Sequence, residues 1–117
     1  MAIEEDIVDV VIPITSGFSS AVDLSGKTIV EIWMPAAWTA ADIVPHSAPS
    51  PSGTYLPFYD DTGTAIVFVV AASRAVLIDE LIFAHRRFIK FKADGQAAAR
   101  TIKLRLVALR SLTRKMP

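Results

Sequence analysis

Short bursts of β-branched residues, each cut off by proline, glycine or serine, set the strongest limit on how this 117-residue chain can fold. Isoleucine and valine number 23 against eight leucines. Both lose rotamer freedom in a helix and pack well on a pleated surface, so the excess favours sheet. The 17 alanines pull the other way, but many sit beside turn residues rather than at helical spacing, as in Ala36-Ala37, Ala40-Ala41 and Ala97-Ala98-Ala99. The longest apolar run, residues 65–72, is eight residues, well short of the roughly 20 that a membrane-spanning helix needs. With 52% hydrophobic and 21% charged residues, the chain is too apolar and too balanced to be disordered.

Periodicity places the elements. Residues 7–14 (IVDVVIPI) form a first strand, whose Pro13 lacks an amide donor and belongs at an edge or a bulge. A polar loop surrounds the short stretch 21–24. Residues 28–34 (TIVEIWM) alternate, with Thr28, Val30, Ile32 and Met34 on one face and Ile29, Glu31 and Trp33 on the other. The stretch 45–53 (PHSAPSPSG) holds three prolines and three serines and is expected to be a surface loop.

Residues 54–59 resume as a strand, and Asp60-Asp61-Thr62-Gly63 has the chemistry of a hairpin turn. Residues 65–70 (AIVFVV), apolar on both faces, predict an inner strand. A short strand at 75–78 leads to a single helical turn at 79–85, with Asp79 as its cap and Leu81 and Ile82 facing inward. Two alternating strands, 87–92 and 101–109, complete the domain. About eight short strands with almost no helix predict an all-β, single-domain antiparallel β-sandwich of the jelly-roll type. The domain is expected to span residues 1–110, with a basic tail at 111–117.

Catalytic and metal-binding signals are sparse. Cysteine is absent, which excludes disulfides, thiolate metal sites and a cysteine nucleophile. The two histidines, His46 and His85, have no second ligand at metal-binding spacing. The Asp60–Gly63 stretch lacks the alternating oxygen ligands and terminal glutamate of a calcium loop. The serines of 47–52 have no GxSxG context. Gly26-Lys27-Thr28 resembles the end of a phosphate-binding loop, but Ala21 stands where its first glycine is required. No metal, cofactor or catalytic residue is expected, and the chain is read as non-enzymatic. Trp38 and Tyr55 are candidate contacts for a glycan, because flat rings stack on sugars; the competing reading puts Trp33 in the core and makes Trp38 a lid over one end of the sandwich.

Charge is distributed unevenly beneath a net of zero. Residues 1–61 carry nine acids and one base, for −8, whereas residues 86–117 carry ten bases and one acid, for +9. Three explanations compete: cross-strand pairing within the fold, nucleic-acid binding, and docking between complementary surfaces. The zero net charge and the lack of a basic, aromatic-interleaved groove argue against nucleic acid. Cross-strand pairing and docking can both hold, and for docking Glu4, Glu5, Asp6 and Asp9 on the acidic side, with Lys90, Lys92, Lys103 and Arg105 on the basic side, are the candidate assembly interface.

Several phrases, taken in order, carry a family resemblance: Ala21-Val22-Asp23-Leu24-Ser25-Gly26, Met34-Pro35-Ala36-Ala37-Trp38-Thr39-Ala40-Ala41, Tyr59-Asp60-Asp61-Thr62-Gly63-Thr64, Arg87-Phe88-Ile89-Lys90 and Gln96-Ala97-Ala98-Ala99-Arg100. Together they resemble small structural proteins of tailed bacteriophages and prophages, over roughly residues 21–106, with a discoidin-like jelly-roll pattern. The prolines of 45–53 depart from that group, which continues there as a strand. The resemblance implies a virion structural protein, head-associated as a decoration or cement protein or the base of a head fibre. It would be made in the bacterial host cytoplasm, an expectation matched by an acidic start and no secretory signal. Its partners would be other virion proteins and copies of itself, with neither nucleic acid nor membrane. The alternative is a carbohydrate-binding module of a tail or neck component that recognises host glycans.

Overall fold

The computed structural model describes residues 5–15 and 17–108, and its chain path is a long antiparallel ribbon folded over on itself. The strands are β1 (Glu5–Ile12), β2 (Val22–Asp23), β3 (Lys27–Trp33), β4 (Val44–Ala48), β5 (Leu56–Pro57), β6 (Ala75–Leu77), β7 (Phe88–Lys92) and β8 (Arg100–Ala108). β1 pairs with β8, β2 with β7, β3 with β6 and β4 with β5, all antiparallel. Folding that ribbon across itself adds β3–β8 and β4–β7 contacts. Two four-stranded sheets result, ordered β1-β8-β3-β6 and β2-β7-β4-β5. That wiring is the jelly roll, and the all-β sandwich expected from the sequence is what the chain forms.

The core lies between the sheets. One inward row of the first sheet runs Val8, Leu104, Ile32, Val76 across all four strands. The second sheet contributes Ile89 and Phe91, both fully buried. Phe83 fills the space between the layers, with ring centroids 5.4 Å from Phe58, 5.7 Å from Phe68 and 6.1 Å from Phe91. Burying a side chain of this size contributes about 1.5–3 kcal/mol.

Four sequence expectations are corrected. A β-bulge between Ile29 and Glu31 inserts an extra residue into β3. Ile29 therefore joins Ile32 on the core face, instead of sharing a face with Glu31 and Trp33. Thr28 is turned to the other side but is covered all the same, because its hydroxyl donates to the Glu80 carbonyl at 2.7 Å. No alternation rule applied across an extra residue recovers that arrangement.

The proline-rich stretch is no surface loop. Its first part is β4, an inner strand between β7 and β5. Pro45 is tolerated because its carbonyl accepts from Phe58 N on the β5 side. The nitrogen of a strand residue points the same way as its carbonyl, so the missing donor never faces β7. Pro49–Gly53 does form a turn, closed by Gly53 N to the Ser50 carbonyl at 3.1 Å. A Cβ on Gly53 would stand 2.9 Å from Ser50 Oγ and 3.3 Å from Ser50 O, so a larger residue there requires the serine to turn aside and the turn to give slightly.

Residues 65–70 are not an inner strand. They touch the sheet framework through isolated bridges, Tyr59 to Ala65 and Ile43 to Phe68. Phe68 and Val70 point inward, while Val67 and Val69 are 41% and 79% exposed. The inner place this run was expected to occupy belongs to β4.

Residues 79–85 form no helix but two successive turns, Ile82 N to the Asp79 carbonyl and Arg86 N to the Phe83 carbonyl. Asp79 does cap, its carboxylate accepting from Leu81 N at 3.0 Å. Leu81, expected inside, is 70% exposed, and Phe83 takes the buried place. The Asp60 turn forms as expected: its carboxylate accepts from Thr62 N and Thr64 N at 2.9 Å each, and Gly63 adopts φ 86°. Pro13 follows the last residue of β1, which is an edge strand. The 111–117 tail lies outside the described residues.

Candidate functional site

Strand register decides what each charged residue does. On the outer face of the first sheet, Asp9 stands directly opposite Lys103, and their side chains meet at 2.9 Å. Glu31 stands opposite Arg105 and pairs with it at 3.3 Å. The Arg105 guanidinium also lies 5.0 Å from the Trp33 ring. At the rim, Lys27 bonds Asp6. Four of the eight residues assigned to the assembly interface, Asp6, Asp9, Lys103 and Arg105, are thus paired within their own fold. Glu4 lies outside the described residues, and Glu5 opens β1.

The second sheet differs. Lys90 and Lys92 project from β7 on either side of buried Phe91. The Lys90 ammonium lies 4.5 Å from the Tyr55 ring centroid and 6.0 Å from that of Phe18, and Lys92 lies 5.6 Å from Phe18. Among the described residues neither lysine has a carboxylate within ion-pair distance. His46 is Lys90's partner in the ladder, and its ring meets Phe18 edge-on at 4.8 Å. Burial holds the imidazole below its ordinary value of 6.5; its Nδ1–H donates to the Val44 carbonyl, which pulls the other way, and the charge of Lys92 adds to the lowering. At the end of this face, Arg87 forms a bidentate pair with Asp23 at 2.9 and 3.2 Å, and that pairing lowers the carboxyl of Asp23.

Two hollows flank the platform. One, of about 470 Å³, is lined by Asp42, Val44, His46, Lys92 and Asp94. Its one imidazole and two carboxylates do not converge, and no cluster of three metal-ligating side chains occurs among the described residues. The other, of about 540 Å³, lies between β4, β5 and the turn at residues 83–87.

Of the two glycan candidates, Trp38 is buried at 7% exposure, its indole N–H donating to the Ala41 carbonyl at 3.2 Å. Buried Gln96 clamps the neighbouring Thr39 from both sides, accepting from its amide at 3.1 Å and donating to its carbonyl at 2.8 Å. Tyr55 is half-buried beneath Lys90. Phe18 and His46 were missed as site residues: Phe18 sits in a polar loop, and His46 lay in a stretch read as loop. A lone Phe among serines was the available signal. Compared with known protein families, curated proteins and solved structures, the chain matches none.

Proposed function

We propose that this domain is a non-enzymatic structural component of a bacteriophage virion, head-associated as a decoration or cement protein or a head-fibre base. It acts through contacts with other virion proteins and with copies of itself. The observation that carries the reading is the face built by Lys90, Lys92, Phe18, His46 and Tyr55, where cations lie over aromatic rings and, among the described residues, have no carboxylate within ion-pair distance. A partner supplying acidic and apolar groups gains complementary charge and apolar burial together. The resemblance to phage structural proteins supplies the setting.

A second surface supports the same reading. β1 is an eight-residue edge strand, and Ile7 and Val11 on its outer face are 46% and 51% exposed. An edge of that length is a template for pairing with another chain. The glycan alternative is weakened because Trp38 is buried and Lys90 covers Tyr55, so the pair offers no shared stacking platform.

Sedimentation velocity across protein and salt concentration, with proteomics of purified particles, tests the proposal. Expected are salt-sensitive association and presence in particles. A monomer under all conditions that is absent from particles overturns it.

A further inference from the structure

We propose that the groove between β4, β5 and the turn at residues 83–87 is an oxyanion site, built on Arg86 and taking a carboxylate or phosphate group. Arg86 is held in place by three contacts. Its guanidinium carbon lies 3.8 Å from the centroid of the Phe58 ring, its Nε–H donates to the Ile82 carbonyl at 3.1 Å, and one Nη donates to Ser47 Oγ at 3.4 Å. These engage two of the five N–H donors of the fork. The rest have no protein acceptor among the described residues, and the side chain lines the groove.

The surroundings suit an anion. Arg86 is half-buried, and no carboxylate of the described residues lies within ion-pair distance of it. His85 and Arg87 line the same groove, and Arg87 alone has a counter-ion, Asp23. The hydroxyl-bearing Ser47 and Thr54 line the groove as well. His85 holds φ 67°, a left-handed conformation that is costly for a residue other than glycine. A partly desolvated cation without an anion is unfavourable. A planar or tetrahedral oxyanion accepts two parallel N–H bonds from an arginine fork and removes that cost.

The test is an NMR titration of the whole protein at constant ionic strength, with sodium acetate in one arm, inorganic phosphate in a second and sodium chloride as reference. Saturable shifts of the Ser47, Thr54 and Arg86 amides, with a dissociation constant on the order of millimolar, are expected with at least one oxyanion. Saturation with acetate alone assigns the site to carboxylates, and saturation with phosphate alone to phosphoryl groups. Arg86→Gln abolishes the saturation. Arg86→Lys keeps the charge and the aliphatic stem without the fork, weakens binding about tenfold, and serves if the glutamine variant does not fold. Shifts no larger than chloride produces, or equal binding by Arg86→Lys and the native protein, overturn the assignment.

Discussion

The outer faces of the two sheets carry similar residue types and behave in opposite ways. On the first, Lys103 and Arg105 stand in register with Asp9 and Glu31, and each pair closes on the same face. On the second, Lys90 and Lys92 stand in register with His46 and Val44. With no acid opposite, their ammoniums settle over Phe18 and Tyr55. Cross-strand neighbours, not the bases themselves, decide whether a cationic strand is paired with acids of its own fold or settles over aromatic rings.

The largest way to break this contrast is to remove the support under one face. Phe83→Ala takes away the ring that packs on Phe58, Phe68 and Phe91. It should lower unfolding free energy by about 3–5 kcal/mol, read as the midpoint of urea denaturation. Thr28→Val comes next. It leaves the Glu80 carbonyl without the hydroxyl that now reaches it, at a cost of about 0.5–1.5 kcal/mol by the same assay, because Glu80 is exposed and water can take the hydroxyl's place.

Lys90→Glu with Lys92→Glu sharpens the comparison directly. Association measured by sedimentation should weaken about tenfold with little change in the urea midpoint. Lys103→Glu should leave association unchanged, and equal loss in both variants would erase the distinction between the faces.

His46 gives the second face a pH dependence. Because burial favours the neutral imidazole, the unfolded chain takes up the proton first as pH falls through the ordinary value of 6.5. This contribution to stability is present above that pH and is lost below it. Thermal melts between pH 8 and pH 5, a range spanning about 1.5 units either side of the imidazole value, should fall more steeply for the native protein than for His46→Gln. The smallest effect belongs to the first face: a double-mutant cycle on Asp9 and Lys103 should give a coupling of about 0.2–1 kcal/mol that declines with salt.

Much of the fold was legible in the sequence because its signals are local. The alternation in β7 and β8, the Asp60 turn and the edge position implied by Pro13 each follow from a few adjacent residues. The failures share a different cause. Proline in 45–53 argued for a loop because proline removes a donor, yet Pro45 turns that deficiency toward the side where β5 is only two residues long. Residues 65–70 had the composition of an inner strand, but the place was occupied. The candidate interface was half legible: the charges were real, but those of Asp6, Asp9, Lys103 and Arg105 are spent inside the molecule.

What the chain's order of residues determined by itself is a β-rich domain, acidic early and basic late, because strand propensity, turn chemistry and charge are written residue by residue. Tertiary structure alone decided that Ile29 turns inward at a bulge, that Trp38 is covered, and that Phe18, His46 and Tyr55 gather around Lys90 and Lys92. Those outcomes depend on register between strands far apart in sequence, and a shift of one residue there would carry every side chain to the opposite face.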